Sequence, residues 1–312
     1  MEKLQFWGII LIMKFDVAVI GGGPAGLSAS IFTLRAGLKT ICFEKLAVGG
    51  QAAISYDIAN YPGFDSISGF DLTQKMFSQA KNLGNQFVYG NVEKISKLKT
   101  GFSIKTKHET YQAKKLIIAC GTKARQLGLN EEKFIGKGVS YCASCDGGFF
   151  KGKDVAIVGG GDSAFEYVEY LSRIAKSVVL LNRSDKFKAN DFRVANAKKL
   201  KNVKFYTNVE IQSLLGDKIL SGLTVNHNNN IKDLKVDGLF VAIGHIPNLD
   251  FLDFKIKLDK NGYIIVNSRM ETSEKNVYAC GDIVSKHFKQ VLTACADGAI
   301  AGNSCIGVAN EK

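Results

Sequence analysis

Arginine is nearly missing from this chain. Only six of its 41 basic residues are arginine (35, 125, 173, 183, 193 and 269), and the 35 lysines are scattered singly or in pairs. The formal net charge is +12, yet no dense basic run with interleaved aromatics occurs, so the sequence writes no nucleic-acid surface; a basic face that steers an acidic protein partner is the reading left. Proline is scarce, at three residues, while hydrophobic residues make up 46% and charged residues 22%. That balance excludes a disordered chain and builds packed cores. The apolar run Phe6–Met13, FWGIILIM, is far short of the roughly 20 residues a membrane helix needs, and no small-residue cleavage site follows it, only Lys14 and a strand-like stretch. No membrane partner is expected, and residues 1–12 read as an extension ahead of a natural start at Met13. Seven cysteines (42, 120, 142, 145, 280, 295 and 305) are too few and odd in number for a secreted disulfide scaffold. A reducing compartment, hence a cytoplasmic location, fits better, with one pair reserved for chemistry.

Glycine, by contrast, is plentiful, with 32 residues, many clustered in short motifs. Residues 15–26, FDVAVIGGGPAG, run from β-branched residues into G-x-G-x-x-G at Gly21, Gly23 and Gly26, and a helix-compatible segment follows. This strand–turn–helix context is what a dinucleotide fingerprint requires. The first glycine makes the turn, the second admits a pyrophosphate, and the third lets helix pack on strand, with the helix N-terminus facing the phosphates. The next strand, TICFE, ends at Glu44, 23 positions after Gly21, where a carboxylate accepts hydrogen bonds from ribose hydroxyls. Residues 154–164, DVAIVGGGDSA, repeat the design at Gly159, Gly161 and Ala164, with Asp162 and Ser163 opening the helix. At the same 23-residue offset stands Asn182, followed by Arg183, Lys186 and Lys188. The first unit thus offers an acid for a free 2′-hydroxyl, as in FAD or NAD. The second offers an amide and cations that suit the 2′-phosphate of NADPH. Two such turns in one chain point to two cofactors passing electrons, a flavin and a nicotinamide.

Three more apolar strands end in glycine-bearing turns: KLIIACG (115–121), VDGLFVAIGHIPN (236–248) and NVYACGDI (276–283). In the last, Gly281 and Asp282 offer a turn and a carboxylate for a ribityl chain and its phosphate. Residues 292–307 read as an apolar, small-residue C-terminal helix whose N-terminus faces a flavin.

From residue 14 to about 308 the sequence resembles the low-molecular-weight thioredoxin reductases. The motifs are GGGPAG (21–26), GGQ (49–51), NYPG (60–63), IIACGTKAR (117–125), YCASCDG (141–147), GGGDSA (159–164), AIGHIPN (242–248) and ACGDI (280–283), while KQV (289–291) resembles the family's R-Q-A near the flavin but has lysine for arginine. The resemblance implies an α/β fold of two Rossmann-like dinucleotide-binding domains. An FAD domain, residues 13–123 and 249–312, receives a nicotinamide domain, residues 124–248, that carries the dithiol. It also implies a homodimer, and a rotation of the inserted domain about hinges near 122–126 and 246–250. Pro24, Ala25, Gly50, Gln51, Asn60, Gln290 and Val291 join the FAD residues on the same basis. The CxxC is the discriminating motif, since related ferredoxin reductases lack it. The larger disulfide reductases pair theirs with a catalytic histidine, and His108, His227, His245 and His287 stand in no such arrangement.

For Cys142 and Cys145, zinc would need four ligands, and the chain has one such pair, with Cys120 and Cys280 inside nucleotide-motif turns. A structural crosslink is disfavoured because Ala143, Ser144 and the following glycines suit a mobile, accessible turn. A redox dithiol fits best. The resemblance then implies that electrons pass from the nicotinamide through the flavin to the disulfide by way of Cys145, that Cys142 is the exposed thiolate that attacks thioredoxin, and that Asp146 shuttles the proton. The chain departs from the family where H-R-R-x-x-x-R becomes Asn182-Arg183-Ser184-Asp185-Lys186-Phe187-Lys188. The last change keeps charge but loses the guanidinium fork. NADPH is the expected donor and NADH the alternative. A different small disulfide protein as acceptor, or a redox sensor without turnover, completes the set of readings.

Overall fold

The computed structural model describes residues 13–55 and 58–307; residues 1–12, read above as an extension, lie outside the described residues. The chain divides into two units. One runs up to Thr122 and resumes at Pro247; the other is Lys123–Ile246.

In chain order, the first unit begins β1 (Met13–Ile20), α1 (Pro24–Arg35), β2 (Thr40–Glu44), α2 (Gly50–Ala53) and α3 (Gly69–Asn82), then β3 (Gln86–Tyr89), β4 (Val92–Lys97), β5 (Phe102–Thr106) and β6 (Thr110–Ile118). Strand β7 (Thr122–Ala124) leads out. The second unit holds β8 (Val139–Ser140), α4 (Ala143–Asp146), β9 (Asp154–Val158), α5 (Asp162–Leu171), β10 (Ser177–Leu181), α6 (Asp191–Ala197) and β11 (Val203–Tyr206). It continues through β12 (Val209–Leu215), β13 (Gly222–His227), β14 (Asn230–Lys235) and β15 (Gly238–Val241). Strand β16 (His245–Pro247), which pairs with β7, leads back to β17 (Val277–Ala279) and α7 (Val291–Ile306).

The first sheet has the order β3-β2-β1-β6-β5-β4, with β17 also on β6. Strands β1, β2, β3, β6 and β17 are parallel, and β4 and β5 add antiparallel pairs. The second unit carries a parallel sheet, β11-β10-β9-β15-β8, and a separate antiparallel meander, β12-β13-β14. Parallel strands are covered on both faces and so read as continuous apolar runs: β2 and β15 are buried at every position. Phe43, Phe165 and Phe240 are among the largest fully buried side chains.

Helix α7 explains its small residues by close approach to α1. A Cβ on Gly298 would lie 2.1 Å from the Ala25 carbonyl oxygen, and one on Gly302 2.8 Å from that of Ala29. Ser28 Oγ donates to the Cys295 carbonyl at 2.7 Å along the same seam. Overfilling a packed site costs roughly 1–3 kcal/mol. Gly298→Ala is therefore expected to lower stability by about that amount in urea-induced unfolding; an unchanged midpoint would contradict this packing account.

Candidate active site

The first glycine turn joins β1 to α1. Gly21 has φ +112°, and a Cβ there would lie 2.3 Å from the Ala119 carbonyl oxygen, so both backbone and packing demand glycine. Gly26 closes helix onto turn, because its Cβ would stand 1.9 Å from the Gly21 oxygen. Gly23 differs. It needs no left-handed backbone, with φ −75°, and a Cβ would meet nothing within 4 Å. Space in front of a helix N-terminus, with no side-chain cap and no acid in its first turn, is a cradle that a methyl group would fill and a pyrophosphate fits. Pro24 starts the helix at the position where a missing N–H costs nothing.

The other FAD candidates assemble around this turn. Gly49 N–H donates to the Gly22 carbonyl at 2.8 Å, and Gly50, with φ +54°, brings its Cβ position to 3.3 Å from Gly23 Cα. Gln51 Nε2 donates to the Thr122 carbonyl at 2.7 Å, and Asn60 Nδ2 to Gln290 Oε1 at 3.1 Å. Gln290 caps α7, whose first residue is Val291. Gly281, at φ +80°, would place a Cβ 2.7 Å from the Ala25 Cβ, so the Gly281-Asp282 turn lies against the start of α1. That turn is tied to α7: Asp297 Oδ2 accepts from Gly281 N–H at 3.2 Å and from Lys286 Nζ at 2.6 Å. Lys289, the lysine in KQV, donates to the Asp282 carbonyl at 3.0 Å. Glu44 is held beside the turn, with Oε2 accepting from Gly22 N–H at 2.8 Å and Oε1 from Leu46 N–H at 2.9 Å. A carboxylate has about four acceptor sites, so lone pairs remain for a ribose. These residues fit FAD.

The second turn repeats the geometry. Gly159 has φ +148°, and its Cβ would lie 2.2 Å from the Ala242 carbonyl oxygen and 3.1 Å from Ala164 Cβ. A Cβ on Gly161 would meet nothing within 4 Å, and α5 begins there with Asp162 and Ser163. Asp162 Oδ1 accepts from Asn190 N–H at 3.0 Å. Arg183, Lys186 and Lys188 are exposed on the loop after β10, which is docked on the turn: Lys188 and Ala189 N–H both donate to the Gly160 carbonyl, at 2.6 and 3.0 Å. The cations expected to meet a 2′-phosphate therefore stand beside this turn. Asn182 does not face outward as a ribose-reading position; it is buried and bonded to its own loop.

Cys142 and Cys145 form a disulfide with Cα atoms 5.4 Å apart. The intervening residues are not the loose turn expected from their composition. Cys142 caps the helical turn α4, Ala143 is buried, and Cys145 N–H donates to Cys142 Sγ at 3.2 Å, with Ser144 Oγ 3.5 Å from the same sulfur. Gly147 is likewise a packing glycine, since a Cβ there would meet Tyr170 at 2.6 Å. Cys145 is exposed and Cys142 half-buried, the reverse of the exposure expected for the attacking thiolate, because Cys142 is drawn in against Ser140 at the start of the helical turn. The other five cysteines are poor thiolates at neutral pH. Burial pushes Cys120 and Cys305 up to about 12 and raises Cys42, Cys280 and Cys295 as well.

Several supporting residues escape sequence reasoning. Ser140 is buried. Its hydroxyl lies 2.6 Å from Asp146 Oδ2 and 3.1 Å from the Cys142 carbonyl, both acceptors, and it accepts from Cys142 N–H at 3.0 Å. Tyr141 is pinned at both ends: Tyr167 Oη donates to its carbonyl at 2.6 Å, and its own hydroxyl donates to Glu131 Oε1 at 3.0 Å. Glu131 also accepts from the N–H groups of Leu127, Gly128 and Leu129. No spacing rule announces these partners; they meet only once β8 and the 127–131 loop are folded.

The pyridine nucleotide-disulphide oxidoreductase family matches residues 15–298. The chain is 40% identical over 299 residues to the thioredoxin reductase of Listeria innocua, covering 93% of this chain and 92% of that one. Among solved structures, Lactococcus lactis thioredoxin reductase (FR conformation) superposes with a TM-score of 0.88 at 34% identity, over 93% of this chain and 97% of that one. The T. acidophilum thioredoxin reductase gives 0.87 at 36%, over 94% and 98%. A disulfide-bearing chain with two dinucleotide turns is a flavoprotein disulfide reductase. More particularly, this chain belongs to the pyridine nucleotide-disulphide oxidoreductase family, in the thioredoxin reductase branch that uses FAD and NADPH. No helix among the described residues is long and apolar enough to cross a membrane.

The carboxylate at Glu131 makes the dithiol's surroundings sensitive to pH. Burial by itself raises its pKa, but hydrogen bonds from its own N–H, those of Leu129 and Leu127, and the Tyr141 hydroxyl outweigh this and hold it below the ordinary value. Burial first, and the Glu131 carboxylate second, push the Tyr141 phenol above its ordinary range. A depressed carboxyl adds stability that is complete above its unfolded pKa, about 4.3, and is lost as pH falls through the folded value. Glu131→Gln should lower stability near neutral pH by roughly 1–3 kcal/mol, since it leaves buried N–H groups poorly paired. The gap to wild type should narrow as the pH falls from about 7 to about 3. Thermal unfolding across that range checks it; a gap that does not change with pH contradicts the assignment.

Proposed function

We propose that this protein passes two electrons from NADPH, through FAD and the Cys142–Cys145 disulfide, to the disulfide of a thioredoxin, acting as a homodimer in the cytoplasm. The observation that carries the reading is the Cys142–Cys145 disulfide in a chain that also folds two open glycine turns. The thioredoxin acceptor comes from the names of the relatives, and the homodimer from family likeness. The overall change is NADPH, a proton and a protein disulfide going to NADP⁺ and a protein dithiol.

FAD, held at the first turn by Gly21, Gly23, Glu44, Gln51, Asn60, Asp282, Gln290 and their neighbours, supplies a two-electron carrier between the nicotinamide and the disulfide. The second turn, with Gly159, Gly161, Ala164 and the cations Arg183, Lys186 and Lys188, orients the NADPH. Once the pair is a dithiol, Cys142 is the attacking thiolate. Donors near its sulfur, the Cys145 N–H and the Ser144 hydroxyl, support that role because hydrogen bonds to a charged form favour it. Cys142 Sγ attacks one sulfur of the thioredoxin disulfide and expels the other as a thiolate. Cys145 Sγ then attacks Cys142 Sγ, which re-forms the intramolecular disulfide and releases the second thioredoxin sulfur. Asp146, hydrogen-bonded through Ser140 to the Cys142 backbone, holds the proton delivered to a leaving sulfur.

Cys142→Ser and Cys145→Ser are expected to retain FAD and to let NADPH bleach the flavin absorbance under anaerobic conditions, while thioredoxin-coupled turnover is abolished. Full turnover in either variant would contradict the dithiol's role. Failure of NADPH to bleach the flavin in wild type would contradict the donor.

A further inference from the structure

The two glycine turns handle the residue 23 positions downstream in opposite ways. In the first unit Glu44 points its carboxylate at the turn and accepts the Gly22 N–H at 2.8 Å. In the second unit Asn182 has its amide nitrogen committed elsewhere. Nδ2 donates to the carbonyls of Ser184 and Lys186, both at 2.9 Å. The amide oxygen packs against the turn so closely that a Cβ on Gly160 would lie 2.4 Å from it. The backbone of Asn182 is anchored on both sides, by its N–H to the Tyr206 carbonyl at 2.9 Å and by Val209 N–H to its own carbonyl at 3.0 Å. Asn208 N–H donates to the Ser184 carbonyl at 3.2 Å, and Lys188 and Ala189 N–H close the far end on the Gly160 carbonyl. The 183–188 segment is thus a closed loop built around one buried amide. Its exposed side carries Arg183, Lys186 and Lys188 against a single acid, Asp185. Among the described residues none of the three cations is paired in a salt bridge.

We propose that Asn182 is a specificity-determining positioning residue: it holds the cationic 183–188 loop closed against Gly160 and so selects a dinucleotide carrying a 2′-phosphate, without touching the ribose itself. This rests on the reading that the second turn binds the nicotinamide dinucleotide. The chemistry makes the two specificities exclusive. A carboxylate at 182 would accept from a free 2′-hydroxyl as Glu44 is placed to do, but it would also face two carbonyl oxygens with no hydrogen to share, and the loop would open. An amide donates to both carbonyls and keeps the loop shut, which compensates in this arginine-poor chain for Ser184 and Lys188 standing where the family has arginines.

The test uses the full-length, FAD-loaded, oxidised protein and titration calorimetry with NADP⁺ and NAD⁺, so that no turnover is involved. Wild type should bind NADP⁺ more tightly. Asn182→Ala should weaken NADP⁺ about tenfold, the scale of two lost hydrogen bonds, while NAD⁺ changes by less than about twofold. Asn182→Asp should reduce the preference further or reverse it. Hydrogen exchange of the Lys188 and Ala189 amides should accelerate in both variants and stay slow in Arg183→Ala, which removes a contact to the phosphate and leaves the loop shut. An unchanged NADP⁺ to NAD⁺ ratio in both Asn182 variants, or equal weakening of the two nucleotides, overturns the proposal. A wild type that prefers NAD⁺ overturns the donor reading, and this inference with it, before any variant is made.

Discussion

In each dinucleotide turn the middle glycine, Gly23 or Gly161, leaves open space where a side chain would stand, and the chemistry of the chain depends on that openness. Their neighbours Gly21 and Gly159 are glycines because the backbone is left-handed and a carbonyl from an adjacent strand end lies within 2.3 Å of the would-be Cβ. Gly26 is glycine because the helix must close on the turn. Neither reason applies to Gly23 or Gly161. Their vacancy faces outward at the head of an uncapped helix, where a pyrophosphate would gain both N–H donors and the favourable end of the helix dipole. Around the first turn, the 49–51 segment, the 281–282 turn and the cap of α7 are hydrogen-bonded or packed into a single arrangement. Around the second, a cationic loop is docked on the glycine between the two.

The dithiol follows a different logic. Its N-terminal half is immobilised by polar contacts that converge from three directions: Ser140 on the Cys142 backbone, Tyr167 on the Tyr141 carbonyl, and Glu131 on the Tyr141 hydroxyl. Its C-terminal half is exposed at Cys145. Both cysteines belong to one helical turn with their Cα atoms 5.4 Å apart, so opening and re-forming the bond in every cycle requires only local motion. The remaining cysteines are kept out of this chemistry by burial, which raises their pKa values.

Much of this was legible in the sequence wherever a single residue type answers a local demand. Gly21, Gly23 and Gly26, with their counterparts Gly159, Gly161 and Ala164, identify both turns. Glu44 is legible by its offset, and Cys142 and Cys145 by their spacing. The seam between α1 and α7 shows as a run of small residues. What remained hidden depends on which surfaces fold together. Asn182 has the offset of a ribose reader, and only the path of the 183–189 loop reveals that its amide is turned inward. Ser140, Glu131 and Tyr167 belong to no motif; Glu131 and Tyr167 reach Tyr141 from 10 and 26 residues away, and Ser140 turns inward only because β8 places it there. The helical turn over Ala143–Asp146 was also hidden, because Ala-Ser between cysteines reads as flexible until Ala143 is seen to pack into the core.

The open glycines of the two dinucleotide turns serve two different ligands. The most direct measurement of this is a paired substitution, Gly23→Ala and Gly161→Ala, with FAD content and NADP⁺ affinity determined for each purified protein. A Cβ at either position meets no protein atom within 4 Å, so both variants should fold. Gly23→Ala should lose FAD while still binding NADP⁺, and Gly161→Ala should keep its FAD while NADP⁺ binding is weakened. Wild-type content and affinity in both variants, or loss of both ligands in each, would contradict this division.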